Sequence, residues 1–381
     1  MFLMFFAACG GGKTTPTTPY VPSPPSPPPE ISINISPAPT SVAAWRPVAL
    51  TVTPQNVGYE LDAPITAGCG RVGSTVTCTP AMAGTYEVIV TATADRTKTA
   101  RAVLTVVEID DIEYPEPGDT KLYGINDADW VIGTFFDHTG VTRAFLKNDG
   151  GYAPIFPPDA SGSVYVSGIN DIGHVLGYYE KGYFLKIGTA YEPLENYPGL
   201  GDTYYTGINA GGQLSGYFTA VDGYTIGFVT DTKRLFVESG IVEHPSAAAA
   251  CALYETCGTW VTGLNNLGHV TGVYLDSGGV YRGFVKAGEQ YIPIVHPNSA
   301  INTYVSGIND TGHAVGYFWS SDGYASGFMT DDKGGLTDVV HPDAAYEGDG
   351  EGTYVYGINN SGRISGWFDD GERARGFLLT R

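Results

Sequence analysis

One 15-residue stretch, Tyr304-Val305-Ser306-Gly307-Ile308-Asn309-Asp310-Thr311-Gly312-His313-Ala314-Val315-Gly316-Tyr317-Phe318, recurs in variant form six times and narrows the possible folds more than any other feature. The glycine of its Gly-Ile/Leu-Asn core falls at Gly124, Gly168, Gly207, Gly263, Gly307 and Gly357, at intervals of 44, 39, 56, 44 and 50 residues. A period in this range belongs to solenoid repeats or propeller blades. The pattern inside the unit chooses between them. Tyr304–Ile308, Ala314–Trp319, Ala325–Thr330 and Leu336–Val340 each read as short strands. They are separated by Asn-Asp-Thr-Gly, Asp322-Gly323 and Asp332-Lys333-Gly334-Gly335, residues that tolerate tight-turn backbones. Four short antiparallel strands in about 45 residues make one propeller blade. No segment between them keeps a 3.6-residue apolar period, which argues against helical repeats.

The copies share further positions. A glycine followed two residues later by an aromatic marks each second strand: Gly133/Phe135, Gly177/Tyr179, Gly216/Phe218, Gly272/Tyr274, Gly316/Phe318 and Gly366/Phe368. Each third strand holds a phenylalanine: Phe145, Phe184, Phe228, Phe284, Phe328 and Phe377. Aromatics at fixed strand positions are expected to fill the wedge between stacked blades. The glycines are expected where backbones approach closely near the axis.

The sixth copy ends at Arg381 with no fourth strand, yet Ile112-Glu113-Tyr114-Pro115 before the first copy matches the fourth-strand ending Glu195-Asn196-Tyr197-Pro198. A strand at 111–116 therefore completes the last blade and closes the ring, removing an open edge. The expected fold is all-β: a six-bladed β-propeller over 110–381, preceded by an immunoglobulin-like β-sandwich over 31–109.

The sandwich rests on the period-two segments Val48–Val52, Tyr86–Thr91 and Ala102–Val106. Ala83-Gly84-Thr85-Tyr86-Glu87-Val88 resembles the penultimate-strand motif of bacterial immunoglobulin-like domains, which implies a spacer. Residues 10–30 are rich in Gly, Thr, Ser and Pro and read as an extended linker. At the start, Phe6-Ala7-Ala8-Cys9 after a short apolar run resembles a bacterial lipobox, though no basic residue precedes it. The resemblance implies removal of 1–8, lipidation of Cys9 and an extracytoplasmic, membrane-anchored lipoprotein at the outer membrane or cell surface. Gly12-Lys13-Thr14 lacks the upstream glycine, strand and helix of a phosphate-binding loop.

Five cysteines divide into Cys9 and two local pairs, Cys69 with Cys78 and Cys251 with Cys257, as expected for disulfides in an oxidising compartment. The second pair lies in an insertion before blade 4. Neither pair has zinc-site spacing. A net charge of −20 excludes nucleic acid as a natural partner.

All seven histidines except His138 sit at repeat-related places, which points to structural roles, and no metal or cofactor is expected. No Ser/His/Asp set stands apart from the repeat, so no catalytic residue is named. Ligand-binding candidates are the aromatics near the starts of the first strands, Tyr165, Tyr204, Trp260, Tyr304 and Tyr354, together with the acidic loop residues Asp222, Asp322 and Asp369. These share one face, and aromatics beside carboxylates can stack on and hydrogen-bond sugars. A solvated acidic rim over packing aromatics is the alternative reading.

Over residues 121–381 the copies resemble the HAF extracellular repeat family of bacteria, on the Gly-Ile-Asn-Asp unit and Arg143-Ala144-Phe145-Leu146. The resemblance implies an exported protein and no defined activity. The expected function is a non-enzymatic binding or scaffold module for a glycan or protein ligand, anchored by lipid alone and monomeric. The alternatives are an extracytoplasmic polysaccharide hydrolase or lyase, and a cell-surface spacer with no ligand.

Overall fold

A computed structural model describes residues 33–36, 42–43, 48–55, 58–80, 84–198, 201–220, 223–247, 257–299, 301–331, 334–345 and 351–380. The lipobox, Cys9, the linker, Asp222 and Cys251 lie outside the described residues. Among the described residues no helix is long and apolar enough to cross a membrane.

The first part is a two-layer sandwich. One sheet orders Asn34–Ser36, Val48–Thr53, Thr75–Cys78 and Cys69–Val72. The other joins Tyr59–Asp62, Gly84–Ala92 and Thr99–Ile112, with Val42–Ala43 parallel to the last. Alternate residues face inward, so Leu50, Val52, Val76, Val88, Val90, Leu104 and Val106 form one dry core. Cys69 and Cys78 oppose each other across neighbouring strands and are disulfide-bonded.

Six blades follow, with first strands at Thr120–Ile125, Tyr165–Ile169, Thr203–Ile208, Cys257–Leu264, Thr303–Ile308 and Gly352–Ile358. Blade 5 continues through Ala314–Trp319, Ala325–Thr330 and Leu336–Val339, close to the strands read from its sequence. In every blade the pairing of first and second strands shifts register once, for example between Val305 and Gly307. This β-bulge sharpens the twist of the innermost strand. It also explains the second-strand glycine: a Cβ on Gly316 would collide with the Tyr304 carbonyl oxygen.

The core glycines ring the axis. A Cβ on Gly168, Gly207, Gly263, Gly307 or Gly357 would lie 3.0–3.5 Å from the Cα of the next glycine around the ring. The third-strand phenylalanines are all buried between blades.

Closure differs from expectation in its register. The last blade is completed by Glu108–Ile112 paired with Gly376–Thr380, rather than by 111–116. Those five residues are the end of the 14-residue strand Thr99–Ile112, whose beginning pairs with Gly84–Thr91 in the sandwich. One unbroken strand thus belongs to both parts, and no linker separates them at 109–110. Its apolar alternation changes phase at Val106-Val107, with Ala102, Leu104 and Val106 in the sandwich core and Val107 and Ile109 in a propeller core, and no glycine or proline stops the strand there.

Blades are tied by two repeated devices. The first lies where each fourth strand ends. Tyr114, His244, His296 and His341 stack on Phe135, Tyr274, Phe318 and Phe368 of the following blade, with ring centroids 3.5–3.7 Å apart, and Tyr197 packs on Phe218 at 4.3 Å. The backbone N–H of each of these five residues donates to the hydroxyl of the threonine that opens the next blade's inner region: Thr120, Thr203, Thr259, Thr303 or Thr353. Blade 2 lacks both halves of that bond, since Pro157 has no N–H and Val164 stands in the threonine position.

Candidate functional site

The second device encircles the axis. Each asparagine of the Gly-Ile/Leu-Asn core is buried, and its Nδ2 donates to the main-chain oxygen of the next copy: Asn126 to Asn170, Asn170 to Asn209, Asn209 to Asn265, Asn265 to Asn309, Asn309 to Asn359, and Asn359 back to Asn126. The six bonds span 2.9–3.2 Å and close on themselves. Each Oδ1 meanwhile accepts from the N–H four residues on, as at His313 and Arg363, which fixes the turn into the second strand. Both ends of the amide are used, so the repeated motif is a structural ring.

Inside this ring lies a cavity of about 470 Å³, lined by the first strands of all six blades. Its size is that of a small-ligand site. Six tyrosines line it: Tyr123, Tyr165, Tyr178, Tyr304, Tyr317 and Tyr356. Tyr165 stacks on Tyr178 and Tyr304 on Tyr317, while Tyr123 meets Tyr356 edge-on. Burial pushes the phenols of Tyr123 and Tyr304 up to about 12 and that of Tyr356 well above its ordinary value, so all three are neutral donors at neutral pH. The smaller Ser167, Thr206, Thr262 and Ser306 also line it, one from each of blades 2 to 5. Of these hydroxyls, the last three donate to the main-chain oxygens of Val261, Val305 and Val355 in the following blades.

At the end bearing the Asn-Asp turns, the residue after each core asparagine forms a rim. Around the ring this position holds Asp127, Asp171, Ala210, Asn266, Asp310 and Asn360, so that Ala210 leaves a gap in blade 3. Asn266 Nδ2 bridges Asp171 and Asp310 at 2.9 Å each. Asn360 Nδ2 bridges Asp127 and Asp310 at 2.7 and 2.8 Å. Burial raises the Asp310 pKa, but the bonds from Asn360 and Asn266 more than offset it, and the carboxyl ends below its ordinary value. Among the described residues no Lys, Arg or His lines the cavity.

The two ends of the cavity lie on different faces of the propeller. The strand shared with the sandwich runs from the turn face toward the opposite face as it passes from Glu108 to Ile112, antiparallel to Gly376–Thr380. The sandwich therefore leaves the ring on the turn face, where Arg363 pairs with both Asp110 and Asp129. The opposite face carries the loops that lead into the first strands and is not occupied by the sandwich.

These positions sort the residues read from sequence. Tyr165 and Tyr304 line the cavity. Tyr204 stacks on Tyr217 and is 37% exposed on the loop face, outside the cavity lining. Trp260 packs edge-on against Tyr281, and Tyr354 is buried against Trp367 with centroids 4.0 Å apart. Lys121 occupies the same strand position in blade 1, its Nζ 4.2 Å from the centre of the Trp367 ring. The acidic candidates do not join the aromatics. Asp322 is an exposed loop residue, and Asp369 accepts from the Gly371 N–H. Their counterparts Asp137, Asp276 and Asp370 cap their own turns and pair with Arg143, Arg282 and Arg375. Short side chains at a loop tip are consumed by local N–H groups before they can reach the axis. Cys257 is disulfide-bonded. Among the described residues no group of three or more His, Cys, Asp and Glu is placed to hold a metal.

The rim carboxylates and Tyr123, Tyr178, Tyr317 and Tyr356 were not singled out by sequence. A signal exists in the copies themselves. The residue after the core asparagine reads Asp, Asp, Ala, Asn, Asp, Asn, and the residue before the core glycine reads Tyr, Ser, Thr, Thr, Ser, Tyr.

Comparison with known proteins gives one family match: residues 32–107 match the PKD domain, an immunoglobulin-like fold. Curated proteins give no match. Among solved structures the chain is similar to a DUF4784 family protein from Bacteroides caccae, at 13% identity and a TM-score of 0.29, covering 81% of this chain and 95% of that one. It is also similar to the six-bladed fungal lectin of Aleuria aurantia, described with a fucose recognition mode, at 10% identity and a TM-score of 0.40, covering 69% and 93%. A gluconolactonase from Xanthomonas campestris matches at 8% identity and a TM-score of 0.42, covering 70% and 87%.

Proposed function

We propose that this chain is an exported, lipid-anchored protein whose propeller is a non-enzymatic binding module for a glycan, with the sandwich as its spacer. The observation that carries the reading is the tyrosine-lined cavity at the axis. Six aromatic rings beside serine and threonine hydroxyls supply the apolar faces and polar edges on which a sugar ring stacks and hydrogen-bonds. The disulfide in the sandwich and the PKD match support an extracytoplasmic address. So does the resemblance of the copies to exported HAF repeats. With Cys9 as anchor and the sandwich on the turn face, the loop face is presented away from the membrane.

Binding is favoured over hydrolysis or lyase chemistry by the origin of the cavity carboxylates. Asp127, Asp171 and Asp310 come from one equivalent position in three blades and are bridged by amides into a ring. An acid and a base with separate roles need unlike environments. A glycan array probed with the purified full chain is expected to show discrete binders. Silence across the array at high protein concentration overturns the reading, and polysaccharide cleavage by the same preparation overturns its non-enzymatic part.

A further inference from the structure

The chemistry of the cavity narrows the ligand, given the binding reading above. Among the described residues every charged side chain in its lining is a carboxylate, and these three sit together at one end, with tyrosine rings and serine and threonine hydroxyls in the lining beyond them. The amides of Asn266 and Asn360 hold the carboxylates in place but are uncharged, so the negative charge of the rim is positioned without being neutralised. His269 acts on Asp310 electrostatically from outside the lining. Fixed charge of one sign at the mouth of a cleft with low-dielectric walls focuses its potential into that cleft. Tyrosine faces attract cations in the same sense, through the ring quadrupole. An anionic ligand is repelled by both features, and a neutral one uses only the stacking.

We propose that the ligand carries a primary ammonium, seated between the Asp127–Asp171–Asp310 rim and the tyrosine faces. The rim suits an ammonium better than a bare metal ion. An ammonium adds hydrogen bonds to oxygens that already accept from amides, whereas a metal needs several free oxygens at short range. Two sources share this chemistry, an amino sugar and a linear polyamine.

Titration calorimetry on the full chain separates them, with three probes: a trimer of glucosamine, the same trimer fully N-acetylated, and spermidine. The glucosamine trimer is expected to bind about tenfold or more tightly than its acetylated form, with affinity falling as salt is raised. Asp310→Asn is expected to lower that affinity about tenfold and to lower the weak binding of the acetylated trimer by much less. Asp127→Asn gives a second variant should Asp310→Asn disturb the fold, and thermal unfolding of each checks this. Equal affinity for the two trimers overturns the ammonium inference and leaves the glycan-binding reading standing. Binding of spermidine alone upholds the ammonium and overturns the glycan. A variant that weakens both trimers equally assigns Asp310 a structural role and overturns the inference. Binding of none of the three overturns the inference, and the glycan reading is then judged by the array alone.

Discussion

His341 Nε2 lies 3.0 Å from Asp111 Oδ1, joining two residues 230 apart in sequence across the seam where the ring closes. His341 ends the fourth strand of blade 5, its ring stacks on Phe368 of blade 6, and Asp111 belongs to the strand that completes blade 6. Its Nδ1 accepts from the Asp343 N–H, so Nε2 is the nitrogen that carries the proton toward Asp111. His296 repeats the arrangement one blade earlier, with Nε2 2.8 Å from Asp338.

Removing this ring is expected to loosen the seam. His341→Ala deletes a buried stack and the contact to Asp111 while keeping the backbone N–H that donates to Thr353, for a cost of about 2–4 kcal/mol. Circular dichroism melting should show one transition of the whole propeller moved to lower temperature. Deleting Glu108–Ile112 should abolish that transition, and an unchanged melt in the deletion would mean that the ring holds without its closing strand.

The asparagine ring gives a sharper test, because its two atoms do different work. Asn309→Asp keeps the oxygen that caps the turn and loses the donor to Asn359. It also buries a charge facing a carbonyl, so urea unfolding should register a loss of at least about 2 kcal/mol. Asn360→Ala, on the exposed rim beside it, should cost well under half as much in the same measurement.

Blade 2 predicts an asymmetric response to one exchange. Thr303→Val in blade 5 orphans the buried His296 N–H and should destabilise by about 1–3 kcal/mol. Val164→Thr in blade 2 should give no compensating gain, since Pro157 has no hydrogen to donate. Equal and opposite shifts in denaturant midpoint would refute this account of the bond.

Burial holds the His244 imidazole below its ordinary value. The unfolded chain therefore binds the proton more readily, and the His244 contribution is intact above about pH 6.5 and lost as pH falls through the folded value. His244→Tyr places in that slot the ring found at Tyr114 and Tyr197. The variant should show a shallower decline in stability between neutral pH and mild acid, followed by melting temperature against pH.

The cavity tyrosines titrate in the other direction. With Tyr123 and Tyr304 at about 12, folding favours the protonated phenol. Their contribution is present below about pH 10 and lost as pH rises through 12. Absorbance at 295 nm should rise in two phases, exposed tyrosines first. A single phase near pH 10 with the fold intact would contradict their burial.

Local pattern carried the fold into the sequence. The period, the turn residues and the misplaced fourth-strand ending at Tyr114-Pro115 are all read within a few residues of one another. The seam was harder. No turn residue interrupts Thr99–Ile112, and only the phase change from Leu104/Val106 to Val107/Ile109 marks where it changes partners. The candidate site was legible only in part. Tyr165 and Tyr304 announced themselves as aromatics in strand starts. Asp127, Asp171 and Asp310 looked like ordinary turn residues, because their shared rim exists only once six copies are bent around an axis. Asp322 and Asp369 drew notice as acids on loops, where local N–H groups and water claim them first.

The strand shared by sandwich and ring has a mechanical consequence. A pull on the sandwich travels along Thr99–Ile112 straight into the outermost ladder of blade 6, with no slack segment to absorb it. The load falls parallel to the strands, so the hydrogen bonds from Glu108 to Ile112 and the Arg363–Asp110 pair resist together in shear instead of peeling one at a time. Force between sandwich and ring would be borne by the clasp of the ring itself.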